Sequence, residues 1–140
     1  MFGFTLIELL VVISIIGILS RVVLASVSLA RTKAYDAKVQ GQLSHIRAAA
    51  EIYNVTNGNY GASTTANCTG MFTDQSSGLA RLSISVNYPV GENTITCSSN
   101  GSAYAVSDNL AATNTWWCVD STGVSKQTAA ALAPGAVACP

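Results

Sequence analysis

From Phe4 to Leu19 the chain reads FTLIELLVVISIIGIL, sixteen residues with one charge, Glu8. Beyond Ser20 and Arg21, Val22–Ala25 carries the apolar character on to about twenty-two residues. A helix rises about 1.5 Å per residue, so a run of this length crosses the ~30 Å hydrocarbon layer of a bilayer. A cleaved secretory signal also has an apolar core near the N-terminus. Here, however, no Lys or Arg precedes the run and no small-x-small site ends it. The run continues without Pro or loop signal into a long helical pattern. It reads as a retained transmembrane helix.

Past Ala25 the pattern turns amphipathic. Tyr35, Val39, Leu43, Ile46, Ala50 and Tyr53 recur at the steps of three and four that mark one helix face. Lys33, Asp36, Lys38, Gln40, Gln42, Arg47 and Glu51 fall mostly on the other faces. Asn57-Gly58-Asn59 is a strong stop. One continuous helix is therefore expected from about Leu6 to about Val55, roughly 75 Å long. The half of such a rod that protrudes from a small domain must be covered by lipid, by partner helices, or by each in turn.

After Tyr60 the chain becomes rich in Ser, Thr, Asn and Gly, and residues 61–78 read as a connecting loop. Four short β-type runs follow, Leu82–Tyr88, Thr94–Cys97, Ala103–Ser107 and Trp116–Asp120. Pro89-Val90-Gly91, Ser99-Asn100-Gly101 and Asp120–Gly123 punctuate them with turn chemistry. Short gaps predict an antiparallel meander, and the helix stripe is the surface for it to pack on. The fold class expected is α+β. Ala129–Pro140, without a polar side chain, reads as a loop tied down by Cys139.

The four cysteines, Cys68, Cys97, Cys118 and Cys139, all lie beyond the apolar run and form no C-x-x-C. Their wide spacing and the single His45 speak against zinc, and an even number in a small exported head fits two disulfides. Three pairings are open. Closure of neighbouring loops favours Cys68–Cys97 with Cys118–Cys139, the second fastening the tail.

Seven basic and seven acidic residues cancel, and charged residues make up only 10% of the chain, against about 25% in an ordinary soluble domain. A neutral chain without a basic cluster gives no support for nucleic-acid binding. One His, paired cysteines, no G-x-S-x-G and no clustered carboxylates leave no nucleophile–base pair, so no catalytic residue is assigned and an enzyme is not expected. No metal or other cofactor is expected either; Asp74, Asp108 and Asp120 are read in loops or turns, too scattered for Ca²⁺. His45 reads as a helix-surface histidine. Of Trp116 and Trp117, a strand leaves at most one ring free. Asn54, Asn67 and Asn100 open N-x-S/T patterns that are common by chance in such a chain.

Gly3-Phe4-Thr5-Leu6-Ile7-Glu8, followed by Leu9-Leu10-Val11-Val12-Ile13, resembles the class III signal of type IV pilins and pseudopilins. Asp36-Ala37-Lys38, Tyr53 with Asn57-Gly58-Asn59-Tyr60, and Trp117-Cys118-Val119-Asp120-Ser121-Thr122-Gly123 resemble pilin-like heads more loosely. The resemblance implies that a prepilin peptidase cuts the Gly3–Phe4 bond and methylates Phe4, and that pilus assembly machinery then takes the chain from the inner membrane into an extracellular homo-oligomeric helical filament. Glu8, costly as a lone carboxylate in an apolar helix, would meet the α-amino group of Phe4 on an adjacent subunit. Two departures stand out: Met1-Phe2-Gly3 carries no Lys or Arg, the cations Arg21, Arg31 and Lys33 following the run instead, and Ala25 stands where many pilins have a kinking Pro. On this reading residues 1–3 are a leader remnant, 4–25 the transmembrane and filament-core half-helix, 26–57 the amphipathic half, 58–81 a connecting loop and 82–140 the sheet head. The function implied is the major subunit of a type IV pilus, its role open between adhesion, motility, DNA uptake and secretion, with a minor pilin or a type II secretion pseudopilin as the alternative; two disulfides lean toward a pilin.

Overall fold

The computed structural model describes residues 3–88 and 95–140. A 52-residue helix, α1 (Leu6–Asn57), is roughly 78 Å long by its rise. Gly58, in the left-handed region at φ 74°, ends it and donates its N–H to the Asn54 carbonyl, a conformation that glycine adopts without a side-chain clash. A four-stranded antiparallel sheet in the order β1-β2-β3-β4 packs on the second half of the helix. Its strands are β1 (Thr96–Ser99), β2 (Tyr104–Leu110), β3 (Thr115–Asp120) and β4 (Ser125–Thr128).

The sheet has two buried faces. In register, Val106 lies between Cys97 and Val119, and with Tyr104 and Leu110 these residues face α1. There they form one core with Val39, Leu43, Ile46, Ala50, Met71, Phe72 and Leu79. The alternate residues Ala105 and Cys118 point the other way, onto Leu132, Ala136 and Cys139 of the C-terminal strap. A head of this size needs its staples: disulfides join Cys68 to Cys97 and Cys118 to Cys139.

The helix and the meander follow the expected plan, but several details do not. Leu82–Tyr88 is not a strand. Gly78, at φ 86°, starts a single turn, α2 (Leu79–Leu82), and a 3₁₀ turn follows at Ser85–Asn87. The carbonyls of Arg81 and Leu82 are taken by the Asn87 amide and the Tyr88 hydroxyl, at 2.7 and 2.8 Å. Local side chains thus satisfy groups that a ladder would otherwise need. The apolar alternation is not kept on one core face: Leu82 and Tyr88 pack on the core, but Ile84 and Val86 between them are 48% and 83% exposed. Within the loop read at 58–81, Gly70–Thr73 forms another 3₁₀ turn and buries Met71 and Phe72.

The run read at Ala103–Ser107 extends to Leu110, so Asp108 is a buried strand residue and not a loop residue. Strand β4 is new; its sequence SKQT is polar, and three of its four residues are exposed at the edge of the sheet. The expected turn Pro89-Val90-Gly91 and the start of the Thr94–Cys97 run lie outside the described residues. The helix stripe begins at Asp36, not Tyr35. Tyr35 is 37% exposed, whereas Asp36 is buried and accepts the N–H of Ala111 at 2.7 Å and that of Ala112 at 3.2 Å. A carboxylate here caps the β2–β3 turn and pins it to the helix. The two tryptophans are both half-buried, Trp117 against the main core.

Candidate assembly site

Thr5 sits at the helix N-cap in an extended conformation, and its hydroxyl accepts the Glu8 N–H at 3.3 Å. In return, the Glu8 carboxylate accepts the Thr5 N–H at 2.9 Å and the Thr5 hydroxyl at 2.7 Å. This is a capping box, which satisfies two of the amide donors left open at a helix start. The Thr5-Leu6-Ile7-Glu8 spacing ahead of an apolar run already signals it, and the sequence reading above passed over Thr5. The carboxylate therefore stands at the first turn of the helix, held in place and exposed.

Beyond the cap the rod has no cover among the described residues. Between Phe4 and Leu29, seventeen large apolar side chains are each 48–83% exposed. Covering what each leaves open is worth about 1 kcal/mol, on the order of 15–20 kcal/mol for the rod as a whole. Two of the polar side chains on it are turned inward: Ser14 and Ser20 donate to the carbonyls of Leu10 and Ile16 at 2.8 and 2.7 Å. Their hydroxyls ask nothing of the surroundings, as a segment in lipid or against other helices requires. By length and composition the helix can cross a membrane. A Cβ at Gly17 would meet nothing, so this glycine lowers the rod's surface without serving any contact inside the chain.

Residues 2–20 match the family model described as the prokaryotic N-terminal methylation motif. The chain carries a class III signal. This is the signal of type IV pilins and pseudopilins, and it implies processing by a prepilin peptidase and handling by pilus assembly machinery. Signal and apolar helix together support a type IV pilin or pseudopilin and fit an inner-membrane anchor before assembly. No curated protein matches the chain.

The residues singled out from the sequence fall into two separate places. Gly3, Phe4 and Glu8 gather at the tip of the rod, with Phe4 83% exposed. The four cysteines lie in the head, at the far end of the helix, with Cys97 and Cys118 on opposite faces of the sheet. His45 is exposed on α1. Asp74 follows the first 3₁₀ turn, and the hydroxyl and N–H of Ser77, then Ser76, hold its carboxyl below the usual range. Asp120 ends β3. Burial pushes its pKa up, but the N–H of Cys139, the hydroxyl and N–H of Thr122 and the N–H of Val124 outweigh that and hold it below the usual carboxylate value. Asp120 thus ties the tail to the sheet beside the Cys118–Cys139 bond.

Proposed function

We propose that the chain is the structural subunit, and the major one, of a type IV pilus. The observation that carries this reading is an apolar rod, exposed all round, that begins at a class III signal. Lipid covers the rod in the membrane pool, and the rods of other copies cover it in the filament, so assembly exchanges one apolar environment for another. That exchange is close to neutral in apolar free energy, which makes packing and pairing between helices decide where a subunit goes.

On this proposal residues 1–3 are removed at the Gly3–Phe4 bond and Phe4 becomes the methylated N-terminus. Residues 4–25 form the filament core, residues 26–57 present the head, and the stapled sheet faces outward. Glu8 sits four residues along the chain from the new α-amino group. Its carboxylate exchanges the Thr5 hydroxyl for the amine of a neighbouring subunit, setting axial register in a water-poor core where opposite charges attract more strongly than in water. The product is a surface filament with no catalytic residue.

The test is mass spectrometry of filaments sheared from the cell surface. The proposal expects this chain as the main component, beginning at a methylated Phe4, with all four thiols oxidised. A trace amount beside another major subunit would reassign it as a minor pilin or pseudopilin, and its absence from surface filaments would refute the pilus role.

A further inference from the structure

Between the second half of α1 and the β3–β4 turn lies a polar cleft of about 310 Å³, lined by Ser44, Arg47, Glu51, Asp120, Ser121 and Gly123. It is remote from the rod tip, and nothing in the assembly scheme uses it. Arg47 is half-buried and reaches toward the β3–β4 turn, its Nη2 only 3.8 Å from where a Cβ on Gly123 would stand. Among the described residues it has no hydrogen bond and no ion pair. A guanidinium offers five N–H donors in a fork matched to a carboxylate, and this one is half-shielded from water with none of them used.

A second unspent group lies near the cleft. Tyr104 is fully buried, and among the described residues its hydroxyl has no hydrogen-bond partner. The residue stands next to the cleft wall: its N–H donates to the Ser121 hydroxyl at 3.4 Å, and its ring meets that of Tyr60, whose hydroxyl donates to Glu51. A phenylalanine would fill the ring's place without leaving a buried polar atom unsatisfied, so the hydroxyl is a burden on the fold alone.

The two carboxylates on the wall differ in what they have left to give. Asp120 is occupied by the donors of Thr122, Val124 and Cys139. Glu51 is exposed and, among the described residues, receives only the single hydroxyl proton of Tyr60, at 2.9 and 3.1 Å from its two oxygens. It keeps lone pairs that face outward as hydrogen-bond acceptors.

We propose that this cleft binds an acidic sugar, its carboxylate on Arg47 and its hydroxyls donating to Glu51, with Ser44 and Ser121 at the rim. The bound sugar also supplies the partner that the Tyr104 hydroxyl lacks. A bare anion is disfavoured because the carboxylate of Glu51, beside Arg47, repels it and receives no donor in return. A neutral sugar leaves the guanidinium unpaired. An acidic peptide side chain brings a carboxylate but no hydroxyl donors for Glu51. Only a ligand with both groups uses the whole wall. The proposal is independent of the pilus reading, since it rests on the head alone.

The test is a titration of the full chain, in micelles of a non-glycosidic detergent, with D-glucuronate, followed by ligand-observed saturation-transfer NMR. D-glucose, acetate and a short glutamate-rich peptide are the comparisons. Saturable glucuronate binding is expected, with each comparison at least about tenfold weaker. Arg47→Gln, which breaks no hydrogen bond or ion pair among the described residues, is expected to weaken glucuronate about tenfold. Tyr104→Phe is expected to weaken it several-fold while leaving the melting temperature equal or higher. No glucuronate binding, equal binding of acetate or of the peptide, or an Arg47→Gln protein that binds unchanged would overturn the proposal.

Discussion

Replacing Asp36 by Ala removes the one carboxylate that fastens the β2–β3 turn to the long helix. Asp36 is 9% exposed, and its two oxygens accept the N–H of Ala111 at 2.7 Å and of Ala112 at 3.2 Å. Hydrogen bonds to a charged group are worth about 1.5–3 kcal/mol each, but Ala111 and Ala112 are exposed, so water recovers part of the loss once the acceptor is gone. The net cost expected is therefore about 2–3 kcal/mol, well below the sum of the two bonds. With a denaturant slope of about 1–1.5 kcal/mol/M for a head this small, the urea midpoint falls by roughly 2 M. Trp116 and Trp117, half-buried in the adjoining strand, supply the fluorescence signal for the full chain in detergent. Asp36→Asn keeps one acceptor and is expected to lose less than half as much. A loss below about 0.5 kcal/mol for Asp36→Ala, the range of an ordinary surface change, would refute the reasoning.

Glu8→Ala is expected to leave the chain in the membrane, since it deletes the only carboxylate of the apolar run, while surface filaments decline sharply or vanish; wild-type filament yield, counted by electron microscopy of sheared material, contradicts the pairing. Replacing both Cys118 and Cys139 by Ala opens a loop of 21 residues in sequence separation, and the loop-entropy account puts the cost at about 3 kcal/mol, read as a lower unfolding midpoint without reductant. Because the carboxyl of Asp120 titrates below its ordinary value, its contribution is complete above the unfolded-state pKa of about 3.9 and is lost as pH falls through the lower folded value. The amide resonances of Cys139 and Val124 are expected to titrate with a midpoint below that of a free aspartate; a midpoint at or above it removes the clamp.

How much could be read from the residues alone follows from how local each signal is. The 52-residue helix was legible because a long unbroken apolar run passes without Pro into a stripe of one helical period, and its stop is spelled out by Asn57-Gly58-Asn59. The signal at Gly3, Phe4 and Glu8 was legible because a contiguous motif needs no tertiary context. Leu82–Tyr88 was not, because an alternation of apolar and polar residues is compatible with any extended or turning segment, and which one forms depends on whether a core waits on one side. Here Ile84 and Val86 meet solvent instead. Strand β4 failed for the opposite reason: an edge strand with exposed residues needs no apolar pattern, only a neighbour to pair with, and β3 supplies it through Trp117↔Gln127 and Cys118↔Lys126. Asp36 and Tyr104 were hidden because burial of a polar group is decided by partners 75 residues away or by a cleft that exists only in the folded head.

The central claim is that the rod from Phe4 to Leu29 cannot stand uncovered in water, with on the order of 15–20 kcal/mol of apolar exposure to be relieved. The direct measurement is analytical ultracentrifugation of the intact chain after complete removal of detergent. The account predicts no monomer peak: the chain sediments with added lipid vesicles, or as filaments and other high-mass assemblies when none are present. A stable, monodisperse monomer in detergent-free buffer would contradict it.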